Sequence, residues 1–300
     1  MLKKPMVSVI ITSMGNEVLK KSIKSVLNQT YSNIEIIVVV DDAILFDDEI
    51  LKNVRIISAK QAHNANASRN IGILAARGDC IALLDDDDLW HPEKINSQVE
   101  RMQQFDRGDG EYYFSYGQTE LVRNGVSRRG AYPKKGIKKD EGILNYFFGP
   151  SKGFIQSSSF FGDSQLFRTN MFNEKIIKHQ DWDWLINVQK IPGVIIDFIP
   201  QVLTYYTVNS IGTSVGTKQR WKYSEKWFNN YEDTVTNSTK SNFYSKVILS
   251  SVLNDRSLSE DKKQHELKRI LKIISVKHLF TYLRSLIKIL IYSLRNKFNK

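Results

Sequence analysis

The sequence contains one cysteine, Cys80. That excludes an internal disulfide and a cysteine-rich metal site, and it fits a reducing compartment. No apolar run is long enough to cross a bilayer uninterrupted. There is no low-complexity block and no internal repeat. His63, His91 and His179 are not paired with another histidine at metal-ligand spacing, which argues against zinc. Met1-Leu2-Lys3-Lys4-Pro5 leads directly into a strand-like run, not into an apolar segment with a cleavage site, so a cytoplasmic location is expected. What is present is a globular composition, 41% hydrophobic and 25% charged, in 300 residues. That length suits one large α/β domain or a domain with appendages. The net charge of +11 is uneven: Arg256 to Lys300 holds twelve Lys or Arg against three acids, leaving only +2 elsewhere.

The stretch with the most chemistry is Leu83-Leu84-Asp85-Asp86-Asp87-Asp88-Leu89-Trp90. It follows Cys80-Ile81-Ala82-Leu83-Leu84, short and apolar enough for a buried strand. The acids therefore stand where a strand ends, the place where open α/β sheets put their ligands. Hard divalent cations take oxygen ligands, and Mg²⁺ is commonly held by one or two carboxylates with substrate phosphates. A solvated acidic turn or a negatively charged helix start is the competing reading.

Strands and helices alternate on either side. Val7–Ile11, Glu35–Val40 and Val54–Ile57 read as strands. Glu17–Asn28 reads as a helix with Leu19, Ile23, Val26 and Leu27 inward, and Asn66–Ala76 as another with Ile71, Leu74 and Ala75 on one face. This order predicts an α/β fold, a mostly parallel central sheet with helices on both faces. Further on, Tyr112–Tyr116, Thr119–Val122, Phe154–Phe167, Val194–Ile196 and Leu203–Thr207 read as strands. Asn124-Gly125 is a hairpin signal, and the basic stretch Arg128–Lys139 is expected to be a loop. His179-Gln180-Asp181-Trp182-Asp183-Trp184 opens a helix.

These stretches resemble a family 2 glycosyltransferase of the inverting type, with the GT-A fold. The matching segments are Val7-Ser8-Val9-Ile10-Ile11-Thr12-Ser13, Ser25-Val26-Leu27-Asn28-Gln29-Thr30-Tyr31, Ala67-Ser68-Arg69-Asn70-Ile71-Gly72 and Gly78 to Trp90. The resemblance implies a nucleotide-diphosphate sugar as donor, a UDP-sugar first among them, and a Mn²⁺ or Mg²⁺ ion. Asp85 and Asp87 take the places of the DxD acids, with Asp87 as metal ligand and Asp85 near the ribose and metal shell. Asp86 is placed with the donor, with helix capping as the alternative for Asp86 and Asp88. Thr12, Ser13 and the Asp41-Asp42 pair match positions at the nucleoside end. Arg69 pairs with the strand-end aspartate or approaches the nucleotide. Asp181 aligns with the catalytic base, preceded by Gln180 where the family usually has glutamate, and Asp183 is the fallback. Trp182 and Trp184 either stack on a sugar or belong to the core. Gln156 and Ser157 are candidates for the acceptor side, and Arg220 for a loop closing over the diphosphate.

Residues 1–218 are expected to form the GT-A domain, with a nucleotide-binding half (1–105) and an acceptor half (106–218). Residues 219–300 are expected to be a helical extension. In its last part Leu279, Leu283, Leu286, Ile287, Leu290, Ile291 and Leu294 recur at helical spacing, with Arg284, Lys288 and Arg295 on another face. Such a basic amphipathic helix suits a membrane interface; a helix packed on the body with a solvated charged face is the other reading. The expected acceptor is a glycan or lipid-linked glycan of a surface polysaccharide, made on the inner face of the cytoplasmic membrane. The alternative is a non-enzymatic metal- and anion-binding module whose basic tail attaches to nucleic acid or membrane. The large aliphatics spaced between the charges speak against nucleic acid.

Overall fold

The computed structural model describes residues 4–41, 49–60, 62–123, 126–208, 220–274 and 279–298. Asp42 and the Asn124-Gly125 turn signal lie outside them. The chain forms two compact units, Met1–Lys139 with Gly153–Asn209, and Asp140–Lys152 with Ser210–Lys300.

The first unit begins β1 (Val7–Ser13), α1 (Leu19–Leu27), β2 (Ile34–Val40), β3 (Arg55–Ser58), α2 (Ala65–Ala75) and β4 (Cys80–Asp85). After β4 come β5 (Leu89–Trp90), α3 (Lys94–Met102), β6 (Tyr112–Arg123) and β7 (Val126–Tyr132). In the second unit α4 (Ile143–Phe148) follows. The chain then returns for β8 (Phe161–Asp163), α5 (Ser164–Thr169), α6 (Gln180–Val188) and β9 (Val194–Thr207). One sheet joins these strands in the order β3-β2-β1-β4-β8-β6-β9-β5, with β7 paired to β6. Strands β3, β2, β1 and β4 are parallel neighbours. β1, β2 and β4 are mostly β-branched or aliphatic without alternation, and β1 is buried at six of its seven positions, as expected for strands covered on both faces, whereas the edge strand β3 is largely exposed. Beyond β4 the sheet is mixed: β8 runs antiparallel to β4 and β6, while β6 and β9 run parallel.

The α/β class and the first strands follow the sequence pattern, and several later elements depart from it. The two short strands expected at each of 112–122 and 194–207 are single long ones, β6 and β9. What looked like a break is a register slip opposite Gly117, where Pro200, lacking an N–H, sits in β9. Of the expected basic loop Arg128–Lys139, residues 128–132 instead belong to β7, which pairs with β6. Of the strand expected over Phe154–Phe167 only Phe161–Asp163 forms. Ser157–Ser159 is a 3₁₀ turn, capped by Gln156 accepting from the Ser158 amide at 2.8 Å, and Ser159 Oγ donates to the Gln156 carbonyl. Side chains that bond locally in this way compete with a ladder. Two inward assignments also fail: Leu74 is 68% exposed and Leu27 is exposed, while Ile73 and Gly72 face the sheet. Gly72 is required there, since a Cβ would stand 2.3 Å from Ile10 Cγ2.

The second unit is helical: α4, then α7 (Trp221–Asn229), α8 (Asn237–Phe243), α9 (Leu249–Leu253), α10 (Glu260–Ile274) and α11 (Leu279–Phe298). Its core stacks Phe228 on Phe243 at 4.0 Å, with Phe148 of α4 edge-on to Phe243 at 5.2 Å. Asn242 Nδ2 donates to the Phe148 carbonyl at 2.7 Å, so residues 140–152 are built into this unit. Arg269 holds Glu225 through both terminal nitrogens.

Candidate active site

The C-terminal ends of β1 and β4 lie side by side, with Thr12 in register with Asp85. Asp85 ends β4, and the chain then turns, the Asp88 amide donating to the Asp85 carbonyl at 3.2 Å. A turn, unlike a strand, sends the carboxylates of Asp85, Asp86 and Asp88 to different partners. Asp85 Oδ1 accepts from Arg69 at 2.7 Å, and Oδ2 from Ser157 Oγ at 2.8 Å. Asp86 accepts from Ser13 Oγ at 2.5 Å. Asp88 is fully buried and accepts from Ser158 Oγ at 2.6 Å and from the Thr207 amide at 2.9 Å. Asp87 is half-buried beside them. Neither Asp86 nor Asp88 caps a helix, correcting that alternative: α3 starts after Glu93 without a side-chain cap.

The turn is held from two sides. Ser22 of α1 donates to the carbonyls of Asp86 (2.6 Å) and Asp88 (2.9 Å). The serine turn 157–159 supports it from below: the Asp85 amide donates to Ser158 Oγ, and Trp90 Nε1 to the Ser158 carbonyl. In the sequence Ser158 stands out only as part of the serine run Ser157-Ser158-Ser159 within a strand-like stretch, with no role attached, and Ser22 does not stand out. Three consecutive serines inside an apolar stretch were the available signal.

Charge is concentrated here. Burial, and then the neighbouring Asp85 and Asp87, push the Asp88 carboxyl well above the usual carboxylate range. Asp86 is raised by burial, against the Ser13 hydrogen bond that lowers it. Tyr206, the penultimate residue of β9, is also raised, by burial and by Asp88, Asp85, Asp87 and Asp181, and nothing in its sequence context singles it out.

Asp181 belongs to the same group. It lies in the first turn of α6, whose preceding residue His179 has φ 66°, and its Oδ1 accepts from the Trp182 amide at 3.0 Å. Part of its surface reaches solvent while protein atoms crowd its carboxyl. Burial raises its pKa to about 6, Arg69 opposes the rise, and Asp85 adds to it. Trp184 is core, stacked between Phe167 and Phe172. Trp182 instead stacks on His179 at 4.5 Å, and burial, with Lys178, holds that imidazole down to about 3, neutral at ordinary pH. Asp183 is buried.

The nucleoside-end candidates join this group through α2. Asp41 accepts from Ser68 Oγ at 2.7 Å, and its amide donates to the Ser13 carbonyl at 3.1 Å. Ser68 precedes Arg69, so one helix, N-capped by Asn64, links Asp41 to Asp85. In this group two buried donors, Arg69 Nε and Gln156 Nε2, have no partner among the described residues. Gln156 otherwise caps the serine turn, and His91 accepts from the Glu93 amide. Arg220 precedes α7 in the second unit.

Carboxylate oxygens are the donor type that a hard divalent cation takes. Among the described residues no three His, Cys, Asp or Glu side chains converge as a metal cage. Asp87 and Asp85 fit instead the kind of site that carboxylates share with substrate phosphates.

S. aureus TarS 1–349 superposes with a TM-score of 0.57 at 13% identity, covering 91% of this chain and 82% of that one. The architecture is therefore GT-A, with additional C-terminal helices. Residues 8–174 match the glycosyl transferase family 2, and the chain belongs to that family. Among relatives, the amylovoran biosynthesis glycosyltransferase AmsB of Erwinia amylovora is 26% identical over 208 residues, 66% of this chain and 68% of the relative. The UDP-Glc:alpha-D-GlcNAc-diphosphoundecaprenol beta-1,3-glucosyltransferase WfgD of Escherichia coli is 33% identical over 128 residues, 40% of this chain and 47% of the relative.

Proposed function

We propose that this protein transfers a sugar, hexosyl or N-acetylhexosaminyl, from a UDP-sugar to a hydroxyl of a glycan or lipid-linked glycan, inverting the anomeric centre. Surface polysaccharide synthesis, as a peripheral protein on the inner face of the cytoplasmic membrane, is the proposed setting. The observation that carries this reading is the grouping of Asp181, raised to about 6, with Arg69 and the Asp85–Asp88 turn. A base that titrates just below neutrality is ionised at working pH and still basic enough to take a proton from a hydroxyl.

In this reading Asp181 accepts the acceptor hydroxyl's proton as its oxygen attacks the anomeric carbon, and the nucleoside diphosphate leaves from the opposite face. Arg69 fixes Asp85, and its unpartnered Nε, like that of Gln156, offers a donor to the bound substrate. Thr12, Ser13 and Asp41 take the nucleoside end, with Asp42 as the companion that sequence placed beside Asp41. Asp87, with Asp85, would hold Mn²⁺ or Mg²⁺, which when bound neutralises charge on the departing diphosphate. The neighbours support the donor class: one TarS structure is a complex with UDP-GlcNAc, with a TM-score of 0.51 at 15% identity over 93% of this chain and 79% of that one.

The test is UDP binding by calorimetry with and without Mn²⁺. Wild type should bind more tightly with the ion, and Asp87→Ala should lose that gain with an unchanged melting temperature. Equal ion-dependent binding by the variant would remove Asp87 from the metal site.

A further inference from the structure

Helix α11 is mounted the wrong way round for a helix at a protein–water boundary. An ordinary surface helix buries its apolar stripe and shows its polar one. Here the inward positions are polar. Thr281 Oγ1 donates to Asn242 Oδ1 at 2.8 Å, and Ser285, fully buried, shares a 2.8 Å hydrogen bond with Ser245. Lys288 Nζ donates to the Ser245 carbonyl and to Ser250 Oγ at 2.9 and 3.0 Å, and Lys263 Nζ bonds Tyr292 Oη at 2.6 Å. Positions 281, 285, 288 and 292 fall on one helical face. The opposite face carries Leu283, Leu286, Ile287, Leu290 and Ile291, all exposed, with Ile287 at 56% and Leu290 at 59%.

This orientation is fixed by hydrogen bonds. Rotating α11 to bury the aliphatics would leave Lys288 without its two acceptors and Ser285 without Ser245, at the cost that buried polar groups exact when unpaired. Burial, followed by Arg284 and Lys246, holds the Lys288 amine below its usual range, as befits a lysine committed to the interior. The sequence had set Lys288 on a free charged face; it is instead part of the inner seam.

The charge around the stripe names its occupant. After Glu266 the chain has nine Lys or Arg and no acid. An aliphatic stripe within a purely cationic segment complements an anionic bilayer, whose headgroups attract the cations while its acyl boundary takes the side chains. A second copy of this chain would bring the same positive charge and repel it. No described helix is long and apolar enough to cross a membrane. We infer that α11 docks on an anionic lipid surface through Leu283, Leu286, Ile287, Leu290 and Ile291. This deepens the peripheral part of the reading above and is separable from the sugar chemistry.

The test is flotation of the full-length protein with vesicles of phosphatidylglycerol and phosphatidylcholine, beside vesicles of phosphatidylcholine alone. The protein should float with the anionic vesicles and not with the neutral ones, less so as salt rises. Ile287→Glu combined with Leu290→Glu should lower the bound fraction by about tenfold or more. Its melting temperature and Mn²⁺-dependent UDP binding should be unchanged, since both side chains face outward. Wild type that fails to float, or a double variant that floats equally well, overturns the inference. So does a wild-type dimer in sedimentation that the double variant dissociates without any lipid binding, because a second copy then covers the stripe. Asp87→Ala should float normally, which separates failure here from failure of the donor site.

Discussion

Asp181 carries opposing influences, and their balance makes predictions. Burial lifts its pKa from 3.8 to about 6 and outweighs the Arg69 cation that pulls it down. A base works only when deprotonated, so transfer should rise with pH through about 6 and level off above it, measured as kcat/KM for a soluble acceptor. Arg69→Met removes a favourable charge from the ionised form, and the acidic limb should move to higher pH. A limb left in place would mean that Arg69 does not act on Asp181. The same shift has a stability sign. An acid whose folded pKa is raised costs the fold progressively as pH climbs from 3.8 to about 6, and the cost persists above that. Asp181→Asn escapes this cost and keeps an acceptor for the Trp182 amide. It should be inactive, bind UDP normally, and melt higher than wild type at pH 8 but not at pH 4. An active variant would dismiss Asp181 as base.

Elements explain what residues alone do not. The serine turn 157–159 stands between β4 and β9, and Ser158 alone serves the Asp85 amide, the buried Asp88 carboxylate and Trp90. Ser158→Ala leaves a buried carboxylate short of a donor, and should lower stability by about 1–3 kcal/mol in urea unfolding. Gly72→Ala sets two effects against each other. Alanine favours a helix by about 1 kcal/mol, but its Cβ would meet the stiff, buried Ile10 side chain at 2.3 Å. Overpacking costs about 1–3 kcal/mol, so a net loss of stability is expected. The legibility of the chain follows the same line. Strands β1, β2 and β4 were readable because most of their positions are buried and apolar residues run through them without alternation. The Asp85–Arg69 link was readable as one of two options for Arg69, and Asp181 only through resemblance. The serine turn was not readable as a turn, because its capping hydrogen bonds depend on Gln156 and its purpose depends on acids some seventy residues earlier in the chain. Strands β6 and β9 were cut in two because a proline and a glycine mark a slip in a long parallel pair as readily as they mark a turn. The inward face of α11 was hidden for a related reason: hydrogen-bond partners at Ser245, Ser250 and Asn242 outweigh the hydrophobic pattern.

For the whole molecule, the placement of α4 is the telling feature. Ile143, Leu144, Tyr146, Phe147 and Phe148 are all buried, and Phe148 meets Phe243 within the second unit. Shortening the chain to residues 1–209 should therefore not yield a free-standing catalytic domain. It should give a protein that binds a hydrophobic dye and precipitates, and a monodisperse, folded product would contradict the assignment of 140–152 to the helical unit. Synthesis gives this arrangement a temporal side. As the polypeptide leaves the ribosome, α4 emerges well before Phe243, the ring that will cover it. For that interval the nascent chain carries five uncovered apolar side chains while β8 and β9 are still joining the sheet around them in sequence. A chaperone that holds apolar segments should meet this protein first at α4, and let go only after α8 has been made.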